Sequence, residues 1–586
     1  MVIATSQSRL PIIYLRGYAG GPSGINAAVT DPFNGFNDGS VQVRVSGEDR
    51  PVFHQFESPL LRLMTDHGYV LRVQGAQEAP GSIEPASIWV HRYYDDHASD
   101  LTPGAAPFSM EGAGRSLLAF VDLVLDATGA PQVFLVAHSM GGLVARTMLQ
   151  KSLPEATGRR PDRVDPVARL FTYGTPHGGI EFAIGGGLIE RLRDLTGFNG
   201  ADVFGPARMR AYLTPEGAPD DGGAFDARIV PERAYPAERI FCLVGTNPED
   251  YDVALGLSAR AVGPRSDGLV QIDNAAVAGA PRALVHRSHS GRFGMVNSEE
   301  GYQNLHRFLL GDLEVSAELS GLRLPTAEGL TWQLETALSV RGLPVRLHEQ
   351  STAHLCPVQI GAPPGPDRPS DPVPLARSYL LTGAPRAGKD PGSGVPMRYV
   401  LALRLLSLRE RGGLLSFLDH LEQTAEWEDV LVVDIAIDPG SAGATTPRAW
   451  ASWVSTIAEP LADHDPTGGA PLIDQDPAPG TWLAEVPVPA AQRRLLGADA
   501  AVRLRVRPHA LPSSGTQPPR GQLLSLRGPG KRQESSSRRD PRARSEGARG
   551  FGGGGGRWRR IDRPVRRAMP ARADACRRGG STVRRA

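Results

Sequence analysis

The sequence predicts an α/β fold with a mostly parallel sheet, followed by a β-rich, sandwich-like domain and a basic tail. Three observations carry that expectation. Between Pro11 and Asp312, strand-length apolar runs alternate with helix-period stretches. From Leu313 the pattern changes to apolar–polar alternation of period two. After Leu511 no period survives. A chain of 586 residues is also longer than one hydrophobic core organises, so more than one folded unit is expected.

The elements follow in order. PIIYLRG (11–17), SIWVHRY (87–93), PQVFLVAH (131–138), ARLFTYG (168–174) and RIFCLVG (239–245) are almost continuously apolar and bounded by turn residues. Runs of this kind mark strands buried on both faces, as in a parallel sheet covered by helices. A shorter run, 283–286, ends in His286. Between them lie helical stretches. Residues 57–68 place Leu60, Leu61 and Met64 on one stripe, and 114–129 stop at Gly129. Residues 298–311 open with Ser298 as an N-cap and Glu299 and Glu300 in the first turn, where the helix dipole favours acids. Strand–helix alternation over residues 1–312 implies an α/β sheet domain. Within it, the Gly- and Pro-rich stretch 180–238 reads as an insertion that would overhang a site as a cap or lid. Its apolar residues suit an acyl chain or packing on the core. Residues 313–510 carry period-two runs with Pro/Gly connections, as expected of antiparallel strands, with helical pieces near 413–424 and 448–460.

The charge balance hides a split. Overall, 64 basic side chains face 63 acidic ones, a net of +1. Residues 511–586 hold 20 Arg/Lys against 5 Asp/Glu, while residues 1–510 hold 44 against 58. The Arg-, Gly-, Ser- and Pro-rich tail cannot bury enough apolar surface to offset its chain entropy, so disorder is expected there. So abrupt a switch is also what a shifted reading frame in GC-rich DNA would produce. Its basic residues would bind polyphosphate without reading sequence, so no specific nucleic-acid partner is expected. Cys242, Cys356 and Cys576 are too few and too scattered for a disulfide framework or a CxxC metal site. No apolar run reaches 18 residues, and a buried strand near Pro11 leaves no room for a secretory leader. These features together predict a cytoplasmic protein. Oligomeric state is left open.

The chemistry concentrates in PQVFLVAHSMGGLVARTML. A buried strand runs into Ser139 and straight on into a helix, the layout that exposes a serine hydroxyl above a sheet. Residues two before and two after must be small, and Ala137 and Gly141 are. The alternative is an ordinary strand–turn–helix connection in which Ser139 only caps the helix. A second glycine-rich turn, YLRGYAGG (14–21), follows the first strand. The N–H groups of Tyr18 and Met140 are the candidate oxyanion donors. A serine of this kind needs a base, and the base an orienting carboxylate. Asp267 lies in a polar, glycine-flanked loop, and His289 follows the strand at 283–286. His286 competes for the base role, and Asp250, Asp252 and Asp273 compete for the acid role. His138 is expected to point away from the elbow and to fill space or hydrogen-bond under the sheet.

These segments resemble bacterial lipases and PGAP1-like serine esterases of the α/β-hydrolase superfamily over about residues 10–311. YLRGYAGG is similar to their V-H-G-F-x-G stretch, AHSMGGLVAR to their elbow, FTYGTPHGG (171–179) to their GTPH-x-G stretch, and SDGLV (266–270) to their acid loop. The resemblance implies an α/β-hydrolase fold with Ser139 as nucleophile, Asp267 as acid, His289 as base, and Tyr18 and Met140 at the oxyanion. Two departures stand out. Arg16 replaces the usual histidine of the first motif. Ser-Gly-Arg after His289 lacks the Asp and Gln that hold calcium in secreted lipases, so no metal and no cofactor are expected. The implied activity is hydrolysis of a small-molecule or lipid ester. The same triad also serves acyl transfer and amide cleavage, and an idle scaffold acting as a binding protein is the reading from another class.

Overall fold

In a computed structural model of the chain, the described residues are 9–17, 30–45, 48–73, 80–93, 108–180, 202–218, 224–251, 262–361, 369–381, 397–411, 420–438, 446–461, 463–476 and 481–511. The chain divides into two units, Met1–Gln517 and Pro518–Ala586. The basic tail past Leu511 lies outside the described residues. So do 181–201 and 219–223 of the expected cap; what is described of it includes a helix, Pro206–Leu213.

Seven strands form one all-parallel sheet: β1 (Ile12–Leu15), β4 (Val70–Leu71), β5 (Ser87–His91), β6 (Val133–His138), β7 (Val167–Tyr173), β8 (Ile240–Gly245) and β9 (Arg282–Val285). Their order across the sheet is β4-β5-β1-β6-β7-β8-β9. The residues of β1, β5, β6, β7 and β8 are nearly all buried, which is why their sequences lack alternation. Four helices accompany the sheet: α1 (Pro59–His67), α2 (Met110–Thr128), α3 (Met140–Thr147) and α5 (Glu299–Leu310), with α4 (Pro206–Leu213) in the cap segment. Three carry serine caps: Ser58, Ser109 and Ser298 accept from the N–H groups of Leu61, Gly112 and Gly301. A hairpin, β2 (Ser40–Val45) with β3 (Pro51–Phe56), stands apart from the sheet and was not legible as strands.

β1 and β6 are neighbours, yet the chain leaves β1 for strands on one side and β6 for strands on the other. Such a reversal opens a crevice at the carboxyl ends of the two strands, the place where open α/β sheets bind ligands. Gly17 and Ser139 lie there.

Residues 313–508 fold as an antiparallel sandwich. One sheet is β14 (Val373–Leu380), β10 (Leu313–Ser320), β19 (Ala501–Pro508) and β18 (Trp482–Pro487). The other is β12 (Arg346–Gln350), β11 (Leu330–Val340), β15 (Met397–Arg411), β16 (His420–Asp438) and β17 (Thr446–Trp453), with β13 (Val358–Ile360) also on β11. Leu319, Leu375, Leu504 and Val486 of the first sheet share a core with Leu334, Leu403, Leu431 and Trp453 of the second. The helix expected over 448–460 is not there. Its first part is β17, paired with β16, followed by one 3-10 turn at Val454–Thr456. A ready edge on β16 outweighs the local helical propensity. Of the helical piece expected near 413–424, residues 412–419 lie outside the described residues, and β16 begins at His420.

The sandwich and the parallel sheet are joined through buried contacts. Arg169 of β7 donates from Nη1 to the carbonyls of Phe308 (2.9 Å) and Leu309 (2.7 Å) at the end of α5, and from Nη2 to His509 O (2.6 Å) just past β19. This guanidinium caps a helix C-terminus, where the dipole favours a cation. Leu511 packs on the core of the parallel sheet. No helix among the described residues is long and apolar enough to cross a membrane.

Candidate active site

Ser139 links β6 to α3 with φ 53° and ψ −127°, one of three non-glycine residues at positive φ among those described. Strain of this kind, of order 1–3 kcal/mol, persists only where the surroundings enforce it. The enforcement is visible. A Cβ on Gly17 would come within 2.9 Å of Ser139 Cβ, and one on Gly141 within 2.7 Å of the Leu15 and Arg16 carbonyls. Thr175 Oγ1 donates to Ser139 O (2.9 Å) and holds the turn from the far side. Ser139 makes no side-chain cap to α3, so the helix-capping alternative fails.

Its Oγ lies 2.9 Å from His289 Nε2, and His289 Nδ1 lies 2.8 Å from Asp267 Oδ2. Asp267 is 1% exposed and His289 2%. The other oxygen of Asp267 accepts from the N–H groups of Leu269 (3.0 Å) and Val270 (2.8 Å). With both carboxylate oxygens accepting, Nδ1 carries the proton and Nε2 is left to accept from the serine hydroxyl. The His289 N–H also donates to Asp267 O (2.8 Å), so the loops of Asp267 and His289 are tied through the main chain.

Two glycines make room for this pair. A Cβ on Gly174, at φ 50°, would stand 2.8 Å from Asp267 Oδ2 and 3.0 Å from His289 Nδ1. One on Gly245 would stand 2.8 Å from Asp267 Cβ. Tyr251 meets the His289 ring edge-on at 5.6 Å, and burial together with the Asp267 charge pushes its phenol well up. None of these three was singled out in the sequence. The signal available was a glycine at the carboxyl end of each of two strands, directly after β7 and as the last residue of β8.

The other candidates fall elsewhere. His286 stacks flat on His354 at 3.7 Å and approaches Thr246 Oγ1, away from the serine. His286 directly follows β9, and its partner His354 lies between β12 and β13 of the sandwich. Asp250 accepts from Asn247 Nδ2 (2.7 Å) in its own turn, and Asp273 pairs with Arg265 at the surface. Asp252 and Tyr18 lie outside the described residues. Met140 opens α3, so its N–H is among those at a helix start that have no intrahelical acceptor. His138 does not turn away. Its Nε2–H donates to His289 O (3.0 Å), and burial followed by the neighbouring His289 pulls its pKa down to about 3, keeping it a neutral prop beside His289.

The GTPH segment is tied in the same way. His177 is buried and neutral, its Nε2 3.1 Å from Thr172 Oγ1, and burial holds it well below the usual histidine range. Arg146 of α3, fully buried, donates to His177 O (3.2 Å) and Gln150 Oε1 (2.8 Å). The arginine that ends GLVAR thus locks the loop that carries Thr175. Among the described residues no group of three or more His, Cys, Asp or Glu side chains is arranged to hold a metal ion.

The family model for the alpha/beta hydrolase fold matches residues 87–183, which include β6, the Ser139 turn, α3 and β7. Over these residues the chain is similar to the α/β-hydrolase fold family. Over 72 residues, 12% of its length, the chain is 44% identical both to a triacylglycerol lipase of Pseudarthrobacter phenanthrenivorans and to one of Burkholderia plantarii. The matches span 19% and 17% of those relatives, less than a fifth of their length. Among solved structures, the lin2722 gene product of Listeria innocua is 13% identical, with 51% of this chain and 94% of that one covered and a TM-score of 0.23. A serine hydrolase from Cycloclasticus zankles is 12% identical over 50% of this chain and 88% of that one, with a TM-score of 0.20.

Proposed function

We propose that the hydrolase cleaves carboxylic esters through an acyl-enzyme, with Ser139 as nucleophile, His289 as base and Asp267 as its orienting acid. The reading is supported above all by one observation: an unbroken run of contacts from a strained serine Oγ through His289 to a buried Asp267. His289 Nε2 takes the hydroxyl proton as Ser139 Oγ attacks the ester carbonyl carbon. The resulting oxyanion is met by the Met140 N–H and, from the glycine-rich turn after β1, by Tyr18. Each such donor is worth about 10²–10³ in rate. His289 then protonates the departing alcohol. A water, deprotonated by the same imidazole, attacks the acyl carbonyl, and the free acid leaves Ser139 restored. Asp267 fixes the tautomer throughout and stabilises the imidazolium.

The name carried by the relatives, triacylglycerol lipase, fits a carboxylic ester substrate with an acyl chain. The 180–238 segment is the part proposed to select chain length. A panel of p-nitrophenyl esters from acetate to palmitate, run on wild type and Ser139→Ala, tests both points. Turnover by the wild type alone is expected. No turnover of any ester, or equal turnover by both proteins, would refute the reading.

A further inference from the structure

The outer face of the β14-β10-β19-β18 sheet carries a charge ladder with one gap. Along β10 the residues are Glu314, Ser316 and Glu318; opposite them on β19 stand Arg507, Arg505 and Arg503. Arg507 donates to Glu314 (2.9 Å). Arg503 donates to Glu318 (2.9 Å) and to Glu485 of β18 (3.0 Å). Arg505 stands between Ser316 of β10 and Leu483 of β18, neither of which is a carboxylate. On the other flank Ser316 pairs with Arg377 of β14, whose guanidinium reaches Glu314 at 3.5 Å.

Across a cavity of about 520 Å³ from this face stands Arg282, the first residue of β9. Among the described residues, neither Arg282 nor Arg505 has a hydrogen-bonded or ion-paired partner for its guanidinium. Five arginines and two carboxylates, Asp273 and Glu318, line the cavity. His348 on its wall cannot supply compensating acceptance: its Nδ1 already accepts from the Leu284 N–H (3.0 Å), and burial holds the ring neutral. The cavity is also remote from the acyl chemistry. Arg282 opens β9, whereas Ser139 and His289 follow the carboxyl ends of β6 and β9 in an all-parallel sheet.

We propose that this cavity binds a small phosphate-bearing anion, held between Arg282 on one wall and Arg505 on the other. The volume lies in the range of small-ligand pockets, about 300–1,000 Å³. Two opposed guanidinium forks choose the ligand class. A tetrahedral phosphate presents oxygens to both walls at once, whereas a planar carboxylate engages one fork. The ligand fills the gap in the ladder that Ser316 leaves.

Calorimetric titration of the full chain at low ionic strength, with sodium pyrophosphate as probe, tests this. Saturable binding is expected, weakened about tenfold or more in both Arg505→Gln and Arg282→Gln, since each removes a charge-assisted contact. It should be unchanged in Arg50→Gln on the distant hairpin. Arg282 lies at an exposed rim, so its variant keeps the fold, checked by an unaltered unfolding temperature. Absence of saturable binding, or wild-type affinity in Arg282→Gln, overturns the proposal. Citrate binding as tightly as pyrophosphate overturns the choice of phosphate.

Discussion

Gly174 directly follows β7 at φ 50°, and Gly174→Ala separates the active-site geometry from general stability. The substitution has two effects. Alanine in a left-handed conformation costs about 1–2 kcal/mol of folding stability wherever it occurs. Here the methyl group would also stand 2.8 Å from Asp267 Oδ2, 3.0 Å from His289 Nδ1 and 3.1 Å from Met295 Cε. Both partners of the 2.8 Å Nδ1–H···Oδ2 bond must then retreat. A displacement near 1 Å at reacting groups costs about 10² in rate, and full loss of tautomer control about 10⁴. A fall in kcat of about 10²–10⁴ is therefore expected, with KM little changed because no substrate contact is touched. Gly129→Ala is the matched control: it has φ 64°, ends α2, and a Cβ there meets nothing within 4 Å. It should lose similar stability and keep full activity. The assay is steady-state hydrolysis of p-nitrophenyl acetate beside urea unfolding of both variants. Wild-type kcat in a folded Gly174→Ala would refute the reasoning.

Three further outcomes are expected. Thr175→Val removes the donor to Ser139 O and should cost about 1 kcal/mol in urea unfolding while lowering kcat, because the elbow loses its brace. Arg169→Leu removes the donor to the Leu309 and His509 carbonyls and one of the two donors to Phe308 O, the other being His509 Nε2–H, so a loss of about 3 kcal/mol is expected; an unmoved urea midpoint would contradict the join between sheet and sandwich. The buried histidines set an acid limit. His91 and His348 are pulled down to about 4, and His177 and His306 well below 6.5, all chiefly by burial. The unfolded chain binds these protons first, so stability is full above pH 6.5 and falls as pH drops toward 4. Each such histidine adds up to about 1.4 kcal/mol per pH unit to that slope. Unfolding temperatures measured from pH 8 to 4 should fall steeply below 6.5, and a flat profile would contradict it.

Much of the sheet and of the candidate site could be read from local pattern. The stretch 131–149 shows a buried strand, a small-flanked serine and a helix start in one continuous segment, so no knowledge of tertiary contacts was needed. Asp267 and His289 were legible as types in the right order, but the choice over His286 depended on which way β9 faces. What stayed hidden arises where separate segments cross. Gly174 and Gly245 matter because a carboxylate and an imidazole from distant loops pass over them. The hydrogen-bond partner of His138, the His289 carbonyl, lies 151 residues away, so no local pattern shows which way the ring turns. The 448–460 piece looked helical because its neighbour β16 is invisible to a local reading. The ladder on β10 and β19 was present in the sequence as E-x-S-x-E and R-x-R-x-R, yet only the antiparallel register reveals which arginine faces the serine.

The central claim is that Ser139 is an activated nucleophile. Labelling with a fluorophosphonate probe, followed by peptide mass spectrometry, tests it most directly. One adduct is expected, on Ser139, absent in Ser139→Ala and strongly slowed in His289→Gln. No adduct on the wild-type chain, or an adduct of equal extent in Ser139→Ala, would contradict it.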